Sequence, residues 1–372
     1  MKKRPDYFLL GTIVLLILSG ILILASVSAP LSQERFGNPY YFLNHQMIYG
    51  LLPGLILAFL AFKINLAALK KRAPLLLLIN LFLLLLVFFP VIGATAKGAS
   101  RWLNLGFFSF QPSEFLKLTF ILYSASFLSN RTGENKSAGN KTILGQTFFA
   151  YSIIILVIGF LLALQPDVST LGIIAIVAVL MYFLAQTPFW HTFLIVLGGG
   201  LSLAFLVKFA SYRFARLAVF LNPELDPMGK GYQLKQALLA VGSGGLWGQG
   251  LGMSQQKFGV LPEAMSDSIF AVFAEETGFI GAAFLLLIFL AFLWSSLRVV
   301  KKNPDKFSQL AAFGITGWIV LQSFINIGAM TGLLPITGIP LPFISYGGSA
   351  LISELIGMGI LLNISKEERA KR

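Results

Sequence analysis

GKGYQLKQALLAVGSGGLWGQGLGMSQQKFGVLPEAMSDSIFAVFAEETG, residues 229–278, belongs to the longest interval of the chain without a run of about 20 apolar residues, the length that crosses a bilayer. Nearly everything outside it is apolar: 56% of the 372 residues are hydrophobic, 12% are charged and the mean hydropathy is +0.81. Such a composition lies far from that of a soluble domain and reads as a polytopic membrane protein. The quoted stretch is instead rich in Gly, amides and scattered charges. It delivers four acids, Glu263, Asp267, Glu275 and Glu276, to the start of an apolar helix, which makes it the place to look for chemistry.

Several classes of function are excluded at once. With no Cys there is no disulfide framework, thiol nucleophile or thiolate metal site. His45 and His191 stand too far apart in sequence to form a His-rich metal cluster alone and suit the aromatic belts at the membrane surfaces. Walker, HExxH and GxSxG motifs are absent, and SGGLWGQGLG lacks the preceding strand that would make it a phosphate cradle. The apolar core of the N-terminal segment, Tyr7 to Ala25, is too long for a signal peptide's h-region of about 7 to 15 residues, so it reads as a retained first span.

Apolar segments at 7–28, 42–62, 74–94, 112–129, 147–164, 168–186, 189–208, 268–294, 309–330 and 343–363 predict an all-α fold with about ten transmembrane helices. The whole chain, 1–372, forms one membrane-embedded domain, with one large extracytoplasmic loop at 209–267 between spans 7 and 8. With the N-terminus in the cytoplasm, Lys and Arg favour the cytoplasmic side by about two to one, which places both termini and the 295–308 loop inside. Topology therefore accounts for most of the +13 net charge, and nucleic acid is not needed as a partner.

Within this layout a few side chains are out of place. Arg213 and Arg216, at i, i+3 in the outer loop, suit either an anionic headgroup or diphosphate, or snorkelling to the outer lipid surface. Glu114 and Lys117 share one helical face inside a span, where charge is costly, so they form an ion pair or line a polar cavity. In QPDVSTLG, Pro166 suits a first helical position and Asp167 complements the helix dipole. Arg101 and Trp102 mark an interfacial outer loop. MTGLLPITGIPLPFISYGGSAL combines Pro and Gly at an outer membrane edge, where irregular backbone must be buried in protein or line a cavity, and Glu354 lies deeper in the last span.

Taken together, RWLNLGFFSFQPSEFLKL, QPDVSTLG, NPELDPMGKGYQLKQALLAVGSGGLWGQGLG, LPEAMSDSIFAVFAEETG and TGLLPITGIPLPFISYGGSAL resemble the SEDS (shape, elongation, division and sporulation) family of peptidoglycan glycosyltransferases. The likeness runs from about Arg101 to Gly359, and GLGMSQQKFGVLPEA is closer to the division branch, FtsW, than to the elongation branch, RodA. It implies an enzyme of the bacterial cytoplasmic membrane that polymerises lipid II into undecaprenyl-diphosphate-linked glycan at the outer face. Its expected companions are membrane lipids and a class B penicillin-binding protein that supplies the transpeptidase. The family's essential aspartate falls on Asp267, although Met265, Ser266 and Ser268 replace the neighbours found in many members. The family's intramembrane acid and base fall on Glu114 and Lys117, and its QPD aspartate on Asp167. Arg101, Glu263 and Ser345 complete the candidate substrate-binding set with Arg213 and Arg216.

On that resemblance Asp267 is the general base for the acceptor hydroxyl, and cations from Arg213, Arg216 and Lys117 steady the departing diphosphate. No cofactor is demanded, but a divalent cation held by acids near Asp267 would serve in place of the arginines. From residue type alone Asp267 equally suits a helix N-cap ahead of Ile269. Alternatives for the whole chain are a lipid II flippase or a glycosyltransferase of the O-antigen polymerase or ligase type.

Overall fold

A computed structural model describes residues 4–89, 93–96, 99–104, 106, 109–131, 141–209, 218–226 and 228–368. Local sequence sets the helix starts. Asp6 accepts hydrogen bonds from Phe8 N and Leu9 N to cap α1 (Tyr7–Phe36), and Gly37 closes it in the left-handed conformation at φ 66°. A short helix α2 (Tyr41–Gln46) passes through a π-helical turn, Met47–Leu51, into α3 (Leu52–Lys63). Asn65 then caps α4 (Leu66–Leu86). There follow α5 (Pro112–Arg131), α6 (Lys141–Leu164), α7 (Val168–Leu184) and α8 (Phe189–Phe209), then α9 (Lys230–Ser243) in the polar interval. The chain closes with α10 (Ile269–Lys302), α11 (Lys306–Met330), capped by Asp305, and α12 (Gly348–Glu368).

Six stretches among the described residues are long and apolar enough to cross a membrane: Tyr7–Phe36, Tyr41–Lys63, Leu144–Leu164, Ile269–Lys302, Lys306–Met330 and Gly348–Lys366. Val168–Leu184 and Phe189–Leu201 are shorter apolar helices. The chain is a mostly helical, multi-pass membrane protein. Protein covers 67% and 72% of the apolar windows in α11 and α12 but only 28% in α6, so the former two occupy the centre of the bundle. Phe149, Leu156 and Phe160 on α6, with Phe284, Leu287 and Leu290 on α10, are exposed to the surroundings. In a bilayer such outward apolar faces carry no cost, and helices associate instead by close packing. At Gly359 of α12 a methyl group would stand 2.2 Å from the Ala58 carbonyl of α3, so only glycine permits that approach.

The expectations need four corrections. The fold is not purely helical: β1 (Gly93–Ala96), β2 (Ala99–Asn104) and β3 (Ser109–Phe110) form an antiparallel sheet in the order β1-β2-β3. A short segment held against a membrane must satisfy its own backbone, and strand pairing does so. The window 74–94 belongs to a helix that starts earlier, at Leu66, because Lys70, Lys71 and Arg72 interrupt the apolar run without interrupting the helix. The window 343–363 starts late, since residues 343–347 form turns before α12. The 295–308 loop shrinks to Asn303–Asp305, because α10 continues to Lys302.

Candidate active site

The site is assembled around α11. Trp318, Gln322 and Asn326, spaced at i, i+4 and i+8, share the face that packs toward the bundle interior, and all three are buried. The Trp318 indole donates to Gln322 Oε1 at 2.8 Å. The same oxygen accepts from Lys117 Nζ at 2.9 Å, while the amide nitrogen of Gln322 donates to the Pro340 carbonyl at 3.0 Å. One turn on, Asn326 Nδ2 donates to both the Ile339 carbonyl, at 2.7 Å, and the Asp267 carbonyl, at 2.8 Å. Two side-chain amides thus hold the irregular segment after α11 and the residue that precedes α10.

Pro112 opens α5, so Glu114 and Lys117 fall in its first turns and on one face. They form a salt bridge of 2.9 Å with side-chain exposures of 6% and 2%. The Lys117 ammonium also lies 5.1 Å from the centre of the Trp318 ring. Of the two arrangements left open by the sequence, the structure shows an enclosed ion pair. Glu354 on α12 is buried within electrostatic reach of both residues and accepts from Phe343 N at 2.8 Å.

Asp267 is buried just before α10. The N-cap of that helix is Ser268, one residue later, and no side chain makes a cap bond there. The Ser266 hydroxyl lies 3.1 Å from Asp267 Oδ1 and 2.9 Å from Glu263 Oε2, which links the two acids. A methyl group at Gly338 would stand 3.7 Å from Asp267 Oδ2, so the segment after α11 runs past the carboxylate. Ser345 fastens the two segments. Its hydroxyl donates to the Ser266 carbonyl at 2.5 Å and accepts from Leu341 N at 2.8 Å, beside a backbone bond from Tyr346 N to the Met265 carbonyl at 2.9 Å.

Asp167 caps α7 through Thr170, taking its N–H at 3.3 Å and its hydroxyl at 2.9 Å. Pro166 therefore lies ahead of the cap and not in the first turn. Arg101 clamps the same loop, donating to the Gln165 carbonyl at 3.0 Å and to the Pro166 carbonyl at 2.5 Å. Ser169 then donates to the Thr337 carbonyl at 2.7 Å, beside Gly338. Arg101 and Asp167 are joined in this way to the segment that passes Asp267.

The structure thus gathers Asp267, Glu263 and Ser345 into one cluster, with Glu114 and Lys117 tied to it through α11 and Arg101 and Asp167 through Ser169. Arg213 and Arg216 lie outside the described residues. Glu275 and Glu276 are committed to a separate cluster with Ser254 and Lys257. Each histidine pairs with a tyrosine, His45 with Tyr346 and His191 with Tyr182. Sequence reasoning missed Trp318, Gln322, Asn326 and Ser266. The available signal was a pair of amides at i, i+4 inside an otherwise apolar run, where a polar group needs a partner. Among the described residues no three His, Asp or Glu side chains come together as a metal site.

A bundle of membrane helices that carries a buried carboxylate just ahead of one of them defines a class of polytopic membrane protein. Within that class the chain belongs to the FtsW/RodA/SpoVE family of cell cycle proteins, whose family model matches residues 7–370. It is 39% identical over 370 residues to stage V sporulation protein E of Bacillus subtilis, covering 99% of each chain. It is 40% identical over 368 residues to the probable peptidoglycan glycosyltransferase FtsW of Geobacter sp. strain M18, covering 98% of this chain and 97% of the relative. Among solved structures, the rod shape determining protein RodA of Thermus thermophilus superposes with a TM-score of 0.70 at 27% identity. A chain from a peptidoglycan synthase complex, studied for its coordination of polymerization and crosslinking, superposes with a TM-score of 0.78 at 25% identity. Each of these two matches covers 98% of both chains.

The enclosed ion pair makes a direct prediction. Glu114→Gln leaves the Lys117 ammonium buried without its counter-charge and is expected to destabilise the fold by about 3 to 5 kcal/mol. The double change Glu114→Gln with Lys117→Met should recover most of that loss in thermal melts of the purified protein. Equal melting temperatures for the wild type and Glu114→Gln would show that the pair is wet.

Proposed function

We propose that the chain is a peptidoglycan glycosyltransferase that polymerises lipid II, with Asp267 as its general base. The observation that carries the assignment is the setting of Asp267. Its carboxylate is not the cap of α10, yet Ser266, Gly338 and the Asn326 bond to its own carbonyl hold it at one place. A side chain positioned at such structural expense, in a family whose FtsW members are named peptidoglycan glycosyltransferases, suits proton abstraction.

In the proposed reaction the acceptor sugar's hydroxyl gives its proton to Asp267 as its oxygen attacks the anomeric carbon. The bond from that carbon to the lipid diphosphate breaks, and undecaprenyl diphosphate departs with the electron pair. One carboxylate opposite the leaving group gives inversion by direct displacement, by analogy with glycosidase geometry. Arg213 and Arg216 are the proposed cations for the diphosphate. Lys117, enclosed between Glu114 and Gln322, acts by holding Gln322 and through it the Pro340 segment. Glu263, Ser345, Arg101 and Asp167 shape the surrounding loops.

The proposal includes about ten spans, cytoplasmic termini and an external 209–267 loop, which follows from the Lys and Arg distribution. A class B penicillin-binding protein is the proposed partner, supported by the likeness to a chain of a peptidoglycan synthase complex. Within the family the proposed place is nearer the division branch than the elongation branch, and relatives named for division and for sporulation, at 40% and 39% identity, support that reading.

Orientation can be read with an impermeant maleimide, since the chain has no Cys of its own. A cysteine at exposed Glu224 should react in intact cells, and one at Pro304 in the Asn303–Asp305 connection only after permeabilisation. The reverse pattern would invert the topology and place Asp267 on the wrong side of the membrane for this function.

The chemical test uses purified protein and lipid II with no other enzyme. Asp267→Asn should lower glycan formation by about 100-fold to 10,000-fold, the usual contribution of a general base, with an unchanged melting temperature. Asp267→Glu should retain at most about one hundredth of the rate, because roughly an ångström of displacement can cost that much. Full-rate polymerisation by Asp267→Asn would remove Asp267 as the base and leave Glu263 as the next acid to test.

A further inference from the structure

The Gly-rich segment 244–260 is built inside out. Ser254 and Lys257 face inward, while Gln249 and Gln255 stay exposed: Ser254 donates to Glu275, and Lys257 Nζ lies 2.7 Å from Glu276 Oε1, with the Lys257 and Glu276 side chains only 2% exposed. The second oxygen of Glu276 accepts from Ser26 of α1 at 2.6 Å. The large apolar side chains face outward, with Trp247 80% exposed, Leu251 76% and Met253 67%. In water this arrangement would waste the burial that ordinarily drives loops to fold, and the patch would be a liability.

The segment cannot simply turn over, because it is welded to α10. Gln249 N and Gly250 N donate to the carbonyls of Glu275 and Glu276 at 2.9 and 3.0 Å. Phe279 N and Ile280 N donate in turn to the carbonyls of Gly245 and Leu246, at 2.8 and 3.2 Å. The two backbones touch at a pair of glycines in the left-handed conformation. A methyl at Gly248 would stand 2.2 Å from the Glu276 carbonyl, and one at Gly278 would stand 2.3 Å from Gly248 N.

What covers the apolar side follows from where it is welded. Beyond Gly278, α10 runs as an apolar helix with Phe279 and Phe284 exposed, to the basic end at Arg298, Lys301 and Lys302. About 20 residues cross the hydrocarbon, and counting that number back from the basic end reaches the neighbourhood of Ile280. The exposed face of the segment is therefore continuous with the lipid-facing side of α10 at the opposite membrane boundary, the level at which Trp is favoured. We propose that residues 244–260 form an interfacial anchor, with Trp247, Leu251 and Met253 seated in the lipid leaflet beside α10 while the Lys257–Glu276 pair closes the polar side. The chain leaves this anchor directly for Glu263 and Asp267. On the glycan-polymerising assignment, which this last consequence alone requires, the anchor fixes the height of the base above a membrane-borne diphosphate.

The test needs no substrate, so its failure is distinct from failure of the proposed activity. Single nitroxide-labelled cysteines are placed at Trp247, Leu251 and Met253, in protein reconstituted into phosphatidylcholine and phosphatidylglycerol vesicles. Phe284→Cys serves as the lipid reference and Glu224→Cys as the water reference. Power-saturation measurements should give oxygen-to-nickel-chelate collision ratios at the three sites several-fold above that of Glu224→Cys and approaching that of Phe284→Cys. Ratios equal to the water reference would overturn the proposal. So would low collision with both reagents, which would mean that protein, such as a second copy of the chain, covers the patch. Should Trp247→Cys not be recovered folded, Leu251→Cys and Met253→Cys report on the same side of the segment.

Discussion

Two amide side chains, Gln322 and Asn326, connect everything that matters in this bundle. Each stands one turn from the other on α11, and each spends its N–H groups on main-chain carbonyls outside its own helix. The segment from Thr331 to Gly347 is irregular, and in a membrane its carbonyls need donors that water does not readily supply. Gln322 and Asn326 serve adjacent carbonyls, at Pro340 and Ile339, and so hold the segment as a rigid strap. Asn326 also takes the Asp267 carbonyl, which places the start of α10 against that strap. The buried pair Glu114–Lys117 anchors the other end by fixing the Gln322 oxygen, with the Trp318 indole as a second donor. Paired groups in such a buried network rigidify a site, and the Asn326 Oδ1 atom is the one acceptor of the two amides without a partner among the described residues.

Much of the architecture was legible before any coordinates, for a physical reason. A span announces itself by an apolar run of fixed length, and helices cover most of each predicted window, six stretches among the described residues being long and apolar enough to cross a membrane. The boundaries were less legible wherever charge and helicity diverge, as at Lys70 to Arg72, where a capped helix carries three cations without breaking. The sheet was invisible because its strands are short and rest on pairing with one another, a non-local property. For the site, Asp267, Glu114 and Lys117 stood out as charges in unexpected surroundings. Gln322 and Asn326 did not, because an amide in an apolar run acquires meaning only when its facing carbonyls are known.

Asp167 and Arg101 show the opposite case. Both were singled out for contact with substrate, and both have structural work here: Asp167 caps α7 and Arg101 clamps the QPD loop through two carbonyls. Their relation to the site is through Ser169 and the Thr337 carbonyl, on the same strap that Asn326 and Gln322 hold. Positioning of this kind has catalytic weight, since an error of about an ångström at a reacting group can cost about 100-fold in rate. The match to the FtsW/RodA/SpoVE family runs over residues 7–370 and so includes the strap.

The central claim, that α11 positions Asp267 through Asn326, is tested most directly by a double-mutant cycle on lipid II polymerisation. Asn326→Leu alone should lower the rate by about 10-fold to 100-fold, and adding it to Asp267→Asn should cause no comparable further loss, since groups acting as one unit are strongly non-additive. Two independent losses that multiply in the double variant, or a wild-type rate for Asn326→Leu, would contradict the account.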